Sequence, residues 1–184
     1  WKLIYIHILG YDVDFGHNYS ADLITSVKFS EKITGYISMS ILFKDDNSEI
    51  EVMINSIRND LLNQNAVCQS MALTLAANLQ NNELLTAIHK DVIKYITNHN
   101  EKTSNTLKKA LIVLSKIIKQ KPDTLNAEKW SAALSKIVEM KNFESLLALC
   151  SLFHTILTTV GPVGYESLAD KIMNTAQRKK GFLL

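Results

Sequence analysis

Apolar residues recur along this chain at intervals of three and four, the spacing that lines one face of a helix. The pattern predicts helices over 2–9, 20–27, 30–44, 48–63, 65–80, 82–98, 103–119, 126–140, 142–159 and 162–178, with 11–19 as a connector. Most of these segments open on Ser, Thr, Asn or Pro, residues that satisfy or lack the free N–H groups of a first turn. Ser48 and Glu51 stand at capping-box spacing, and Gly10 is placed to stop the first helix.

The connectors are short, and one dipeptide returns in phase. Ala72-Leu73, Ala110-Leu111 and Ala148-Leu149 recur about every 38 residues inside long apolar segments, with Gly35-Tyr36 near the same phase. Two helices per repeat at that period predict an all-α solenoid of HEAT or armadillo-like helix pairs, a right-handed superhelical array. The whole chain, 1–184, reads as one such segment of a longer trunk. The small residue in each repeat is expected to let one pair approach the next, with the following Leu filling the shared core.

Composition agrees. Six glycines and two prolines are too few for many tight turns between strands. Twenty basic against eighteen acidic residues leave a net charge of +2, which argues against the broad positive field of a nucleic-acid binder. The aromatics do not interleave with lysines as a base-stacking platform requires, so no nucleic-acid partner is expected. Cys68 and Cys150 both sit in apolar runs and read as buried thiols of a reducing compartment. No apolar run reaches the roughly 18 residues of a membrane span. The opening, Trp1 to Gly10, is almost wholly apolar and lacks a cationic leader. It is expected to pack on further chain or on a partner, as an internal stretch of a longer protein.

A search for catalytic chemistry finds no phosphate loop, zinc-binding His pair or nucleophile elbow. No two of His7, His17, His89, His99 and His154 stand three or four apart on one helix, and no metal or cofactor is expected. Asp12, Asp14 and His17 lack the run of oxygen ligands a hard cation needs and read as turn formers. The chain is therefore expected not to be an enzyme. The basic residues are more informative. Lys102, Lys108, Lys109, Lys116 and Lys119 share a face roughly 120° wide at helical spacing, opposite Leu107, Leu111, Leu114 and Ile118. Such a face could hold anionic lipid or an acidic partner, or simply be solvated. Arg178-Lys179-Lys180 form a second, weaker cluster.

Four stretches carry a resemblance, in order. Lys2-Leu3-Ile4 through Leu9-Gly10-Tyr11-Asp12-Val13-Asp14-Phe15-Gly16-His17 opens the chain. Phe29-Ser30-Glu31-Lys32-Ile33-Thr34-Gly35-Tyr36-Ile37 follows, then Ile54-Asn55-Ser56-Ile57-Arg58-Asn59-Asp60-Leu61 and Met71-Ala72-Leu73. Together they resemble the first repeats of the large adaptins of clathrin adaptor complexes. The turn at Asp12–His17 and the position of Trp130 are most similar to the α type, whereas Tyr11 matches the γ type. The likeness is dense over 2–80 and thin beyond about 135.

The resemblance implies a cytoplasmic coat subunit, peripheral on the cytosolic face of the plasma membrane at clathrin-coated pits. Its partners would be a σ-type small subunit, a β-adaptin and a medium (μ) subunit. It also implies that Lys2 occupies the last position of a basic cluster that grips phosphoinositide headgroups, the earlier members lying upstream. The alternative is a generic HEAT-repeat recognition module, such as a transport receptor or regulatory subunit, sharing only the repeat grammar.

Overall fold

A computed structural model describes residues 1–13, 15–43, 49–63, 65–79, 81–98, 104–122, 127–139 and 143–180. Every regular element among them is a helix: α1 (Lys2–Ile8), α2 (His17–Thr25), α3 (Phe29–Leu42), α4 (Ile50–Leu62), α5 (Ala66–Asn78), α6 (Asn82–Thr97), α7 (Ser104–Gln120), α8 (Ala127–Glu139), α9 (Phe143–Thr159) and α10 (Glu166–Lys180). All ten predicted segments are helices, with shifted ends. The helix α2 starts at His17, inside the expected connector, and α10 starts at Glu166, because Pro162 to Tyr165 form a turn.

The chain divides into two compact units, Trp1–Asp91 and Val92–Leu184. In the first, α2 packs on α3 and α4 on α5, while α1 meets α3, α2 meets α4 and α3 meets α5. In the second, α7 packs on α9, α8 on α9 and α8 on α10. Contacts between neighbours and next-but-one neighbours are what stacked helix pairs produce, so the architecture is an all-α solenoid.

The repeat phase survives in three dimensions. Gly35, Ala72, Ala110 and Ala148 fall on α3, α5, α7 and α9, and all four are buried. At Gly35 the tight approach differs from expectation. A Cβ there would lie 2.5 Å from the Ile24 backbone nitrogen and 2.7 Å from the Leu23 carbonyl carbon, so the helix it admits is α2, its own partner within the pair. The reason is steric: α3 crosses α2 backbone to backbone at this point, and only a residue without a side chain fits.

Local ends follow the sequence in part. Gly10 has φ +93°, and its N–H bonds His7 O while Tyr11 N–H bonds Ile6 O, a Schellman arrangement that stops α1. Asn65 caps α5 by accepting from Val67 N–H at 2.9 Å. Ser30 lies within the first turn of α3 and does not open it. Instead Ser26 accepts from Lys28 N–H at 3.1 Å and donates to Glu31 at 2.6 Å. Ser48 lies outside the described residues. The turn after α1 returns the chain so that Ile4, Val13 and Leu42 form one buried cluster, with Leu3 and Ile37 against it.

Candidate functional site

The lysine face predicted on the seventh segment forms. Leu107, Ala110, Leu111, Val113, Leu114, Ile117 and Ile118 turn one side of α7 into the core of the second unit, each at most 2% exposed. That leaves Lys108, Lys109, Lys116 and Lys119 on the opposite arc, roughly 100° wide, with Ile112 between them. Lys119 is exposed, whereas Lys108, Lys109 and Lys116 are half-buried along their stems. Burial, and after it the neighbouring Lys108 ammonium, holds the Lys109 amine below its ordinary value. Lys102 lies outside the described residues.

Lys2 belongs to the first unit, on the first turn of α1, and is exposed. With Trp1, Tyr5 and Ile6 it lines an open, apolar pocket of 470 Å³. Tyr5 and Ile8 of the same short helix, and Leu9 just after it, are between 56% and 69% exposed. Of the acidic loop, Asp12 is exposed and Val13 is buried, and Asp14 is outside the described residues. Among the described residues no three His, Cys, Asp or Glu side chains gather into a metal site, and no helix is long and apolar enough to cross a membrane. Cys68 is buried and Cys150 half-buried, and burial pushes the Cys150 thiol up.

Periodicity did not reveal two polar joints between helices, one buried and one half-exposed. Asp60, 2% exposed, accepts from Lys32 Nζ at 2.6 Å on Oδ1 and from the Tyr36 hydroxyl at 2.6 Å on Oδ2. This ties α3 to α4. Two residues earlier on α4, Arg58 reaches Asp91 at 3.1 Å with Nε and donates to the Ala87 carbonyl at 2.6 Å with Nη2, tying α4 to α6 within the first unit. A signal was available: Asp60 falls inside the apolar arc of α4, among Met53, Ile57 and Leu61. A carboxylate there needs a partner.

Lys32, Gly35, Tyr36, Arg58 and Asp60 all lie in the stretches that resembled the large adaptins, so the likeness rests on residues that build the helix stack. A model of the family described as "Adaptin N terminal region" matches residues 1–174, nearly the whole chain. The chain belongs to the adaptin family.

Individual relatives of this adaptin are of the α type and, more distantly, the γ type. The Arabidopsis thaliana AP-2 complex subunit alpha-1 is 30% identical over 178 residues, covering 97% of this chain and 17% of the relative. The AP-2 complex subunit alpha of Schizosaccharomyces pombe is 31% identical over 156 residues, covering 85% of this chain and 18% of the relative. The AP-1 complex subunit gamma-1 of the same yeast is 26% identical over 177 residues, 94% of this chain and 20% of the relative. The chain thus spans less than a quarter of the length of these relatives, and the likeness extends past 135 to the end of α9 and beyond.

Proposed function

We propose that this adaptin chain serves as part of the trunk of a large subunit in a clathrin adaptor complex, a scaffold for vesicle-mediated transport that performs no catalysis. The observation that carries the reading is the family match over 1–174, joined to relatives that are themselves AP-2 α subunits. On this reading 1–184 is one solenoid segment of a longer trunk. Its partners are a σ-type small subunit, a β-adaptin and a medium (μ) subunit, and it works at coated pits on the cytosolic face of the plasma membrane.

Membrane docking belongs to the same proposal. Lys2 is exposed at the start of α1, and on the resemblance to α-adaptins it would be the last member of a cluster that grips phosphoinositide headgroups. One lysine supplies only about 1 kcal/mol near an anionic surface, so it works as one member of a cationic group. The lysines of α7 are a separate surface, in the second unit.

Affinity purification of the full-length protein tests the assembly. Small, β-type and medium adaptor chains should co-purify in equal amounts, and their absence overturns the reading. Flotation of the full-length protein on phosphatidylinositol bisphosphate vesicles tests docking. Lys2→Glu should reduce the bound fraction, and an unchanged fraction removes Lys2 from the proposal.

A further inference from the structure

The helix α1 is apolar on two sides. Leu3 and Ile4 join Val13, Leu42 and Ile37, where α1 meets α3. Trp1, Tyr5, Ile6, Ile8 and Leu9 fall on the opposite arc, roughly 160° wide at helical spacing, and are 39% to 69% exposed. Between Trp1 and Tyr11, Lys2 is the one residue of the Asp, Glu, Lys and Arg types. A helix that is apolar all round belongs in an interior, whereas the terminal helix of a solenoid carries a polar outer face. At seven residues, α1 is also too short to hold its turns without packing.

The order of helices within the first unit says what belongs on that arc. One row is formed by α1, α3 and α5, each meeting the next, and a second row by α2 and α4. In this arrangement α3 is covered by α2 and α5 by α4. Each cover is the helix just before in the chain, reached through a connector of three residues, 26–28 and 63–65. Such short connectors make the pairs antiparallel. Among the described residues no helix stands to α1 as α2 stands to α3. We infer that the apolar arc of α1 is the docking surface of an amphipathic helix, antiparallel to α1, that immediately precedes it in the full-length polypeptide and extends the row of α2 and α4. The inference rests on the reading of 1–184 as a segment of a longer trunk, and deepens it. Continuity with the α2–α4 row selects this occupant over another protein or a bilayer. A helix in that place meets α1 as α2 meets α3, and meets α2 as α2 meets α4. Its side chains toward Trp1, Tyr5 and Ile8 are accordingly Leu-, Ile- or Val-like, three and four positions apart. The open pocket between Trp1, Lys2, Tyr5 and Ile6 receives one of them, and Lys2, on its long stem, keeps its ammonium in water alongside.

The test uses the full-length protein. Tyr5→Cys is combined with single cysteines through the roughly 20 residues before Trp1, room for one average helix and its connector. Oxidation should give disulfides at positions three and four apart, the mark of one helix face. Hydrogen exchange supplies a second readout. Tyr5→Ser with Ile8→Ser should speed exchange of α1 and of the preceding segment by roughly tenfold, while α4 and α5 exchange as before. A preceding segment without apolar residues at that spacing, the absence of cross-links, or cross-links without the period overturns the inference. So does capture of Tyr5→Cys by another adaptor chain, or protection of α1 that arises only on anionic vesicles, which would assign the arc to a partner or to a membrane. Failure of the other adaptor chains to co-purify would count against the trunk reading alone and leave the cross-link pattern to be read by itself.

Discussion

The Tyr36 hydroxyl donates to Asp60 across 24 residues of sequence, at 2.6 Å, from α3 to α4. Asp60 Oδ1 takes the Lys32 ammonium at the same distance, so both carboxylate oxygens are engaged in an interior where each partner needs the others. Such an arrangement gives weak evidence of net stabilisation against an apolar substitute, yet it is costly to break, since removing one member strands a charge.

Asp60→Ala should therefore destabilise the chain by about 3–5 kcal/mol, leaving the Lys32 ammonium without its buried partner. Tyr36→Phe removes a hydrogen bond and no charge, and should cost less, about 1–2 kcal/mol. Urea unfolding followed by circular dichroism ranks the two. Equal losses would mean that the ion pair contributes nothing beyond the hydroxyl.

Alkaline pH should act through the same joint. Burial, then the hydrogen bond and charge of Asp60, raise the Tyr36 phenol above its ordinary 10.0. A raised pKa gives stability that is complete below the unfolded value and lost above it, because the unfolded phenol ionises while the folded one cannot. Above pH 10 the Tyr36 contribution should decline by up to ~1.4 kcal/mol per pH unit. Comparing the pH 8 to 11 unfolding series of the chain with that of Tyr36→Phe isolates it, since other lysines and tyrosines titrate in both. Parallel series would refute the assignment.

At Gly35 two effects oppose each other. Alanine is the better helix former by about 1 kcal/mol, but its Cβ would sit 2.5 Å from the Ile24 backbone nitrogen. Backbone cannot yield as a side-chain end can, so Gly35→Ala should lose, by a net of about 1–3 kcal/mol. A thermal melt at or above that of the parent would show that α2 slides away freely.

Ala110 is fully buried on α7 at the equivalent point of its repeat. Ala110→Phe should cost about 1–3 kcal/mol through overpacking, whereas Ile112→Ala, on the outward face and 40% exposed, should stay within ~0.5 kcal/mol. Denaturant midpoints of the two variants check the pair. A harmless Ala110→Phe would break the link between repeat phase and packing.

Helix content, helix order and the repeat were legible in the chain by itself, because all three are carried by local periodicity. A three-to-four spacing of apolar residues admits one face, and the in-phase Gly35, Ala72, Ala110 and Ala148 all fall on buried positions. The lysine arc of α7 was legible for the same reason, being the complement of an apolar arc on one helix. Tertiary structure alone decided the rest. Which backbone Gly35 admits, which carboxylate meets Lys32 and Tyr36, and which helix packs on α7 are relations between residues far apart in sequence. Periodicity assigns a residue to a face, whereas a partner across a helix pair is set by how closely the two backbones approach and cross. Asp60 marks the boundary between the two: its place in an apolar arc announces that a charge must be satisfied, and only the packing of α3 on α4 supplies the lysine and the phenol that satisfy it.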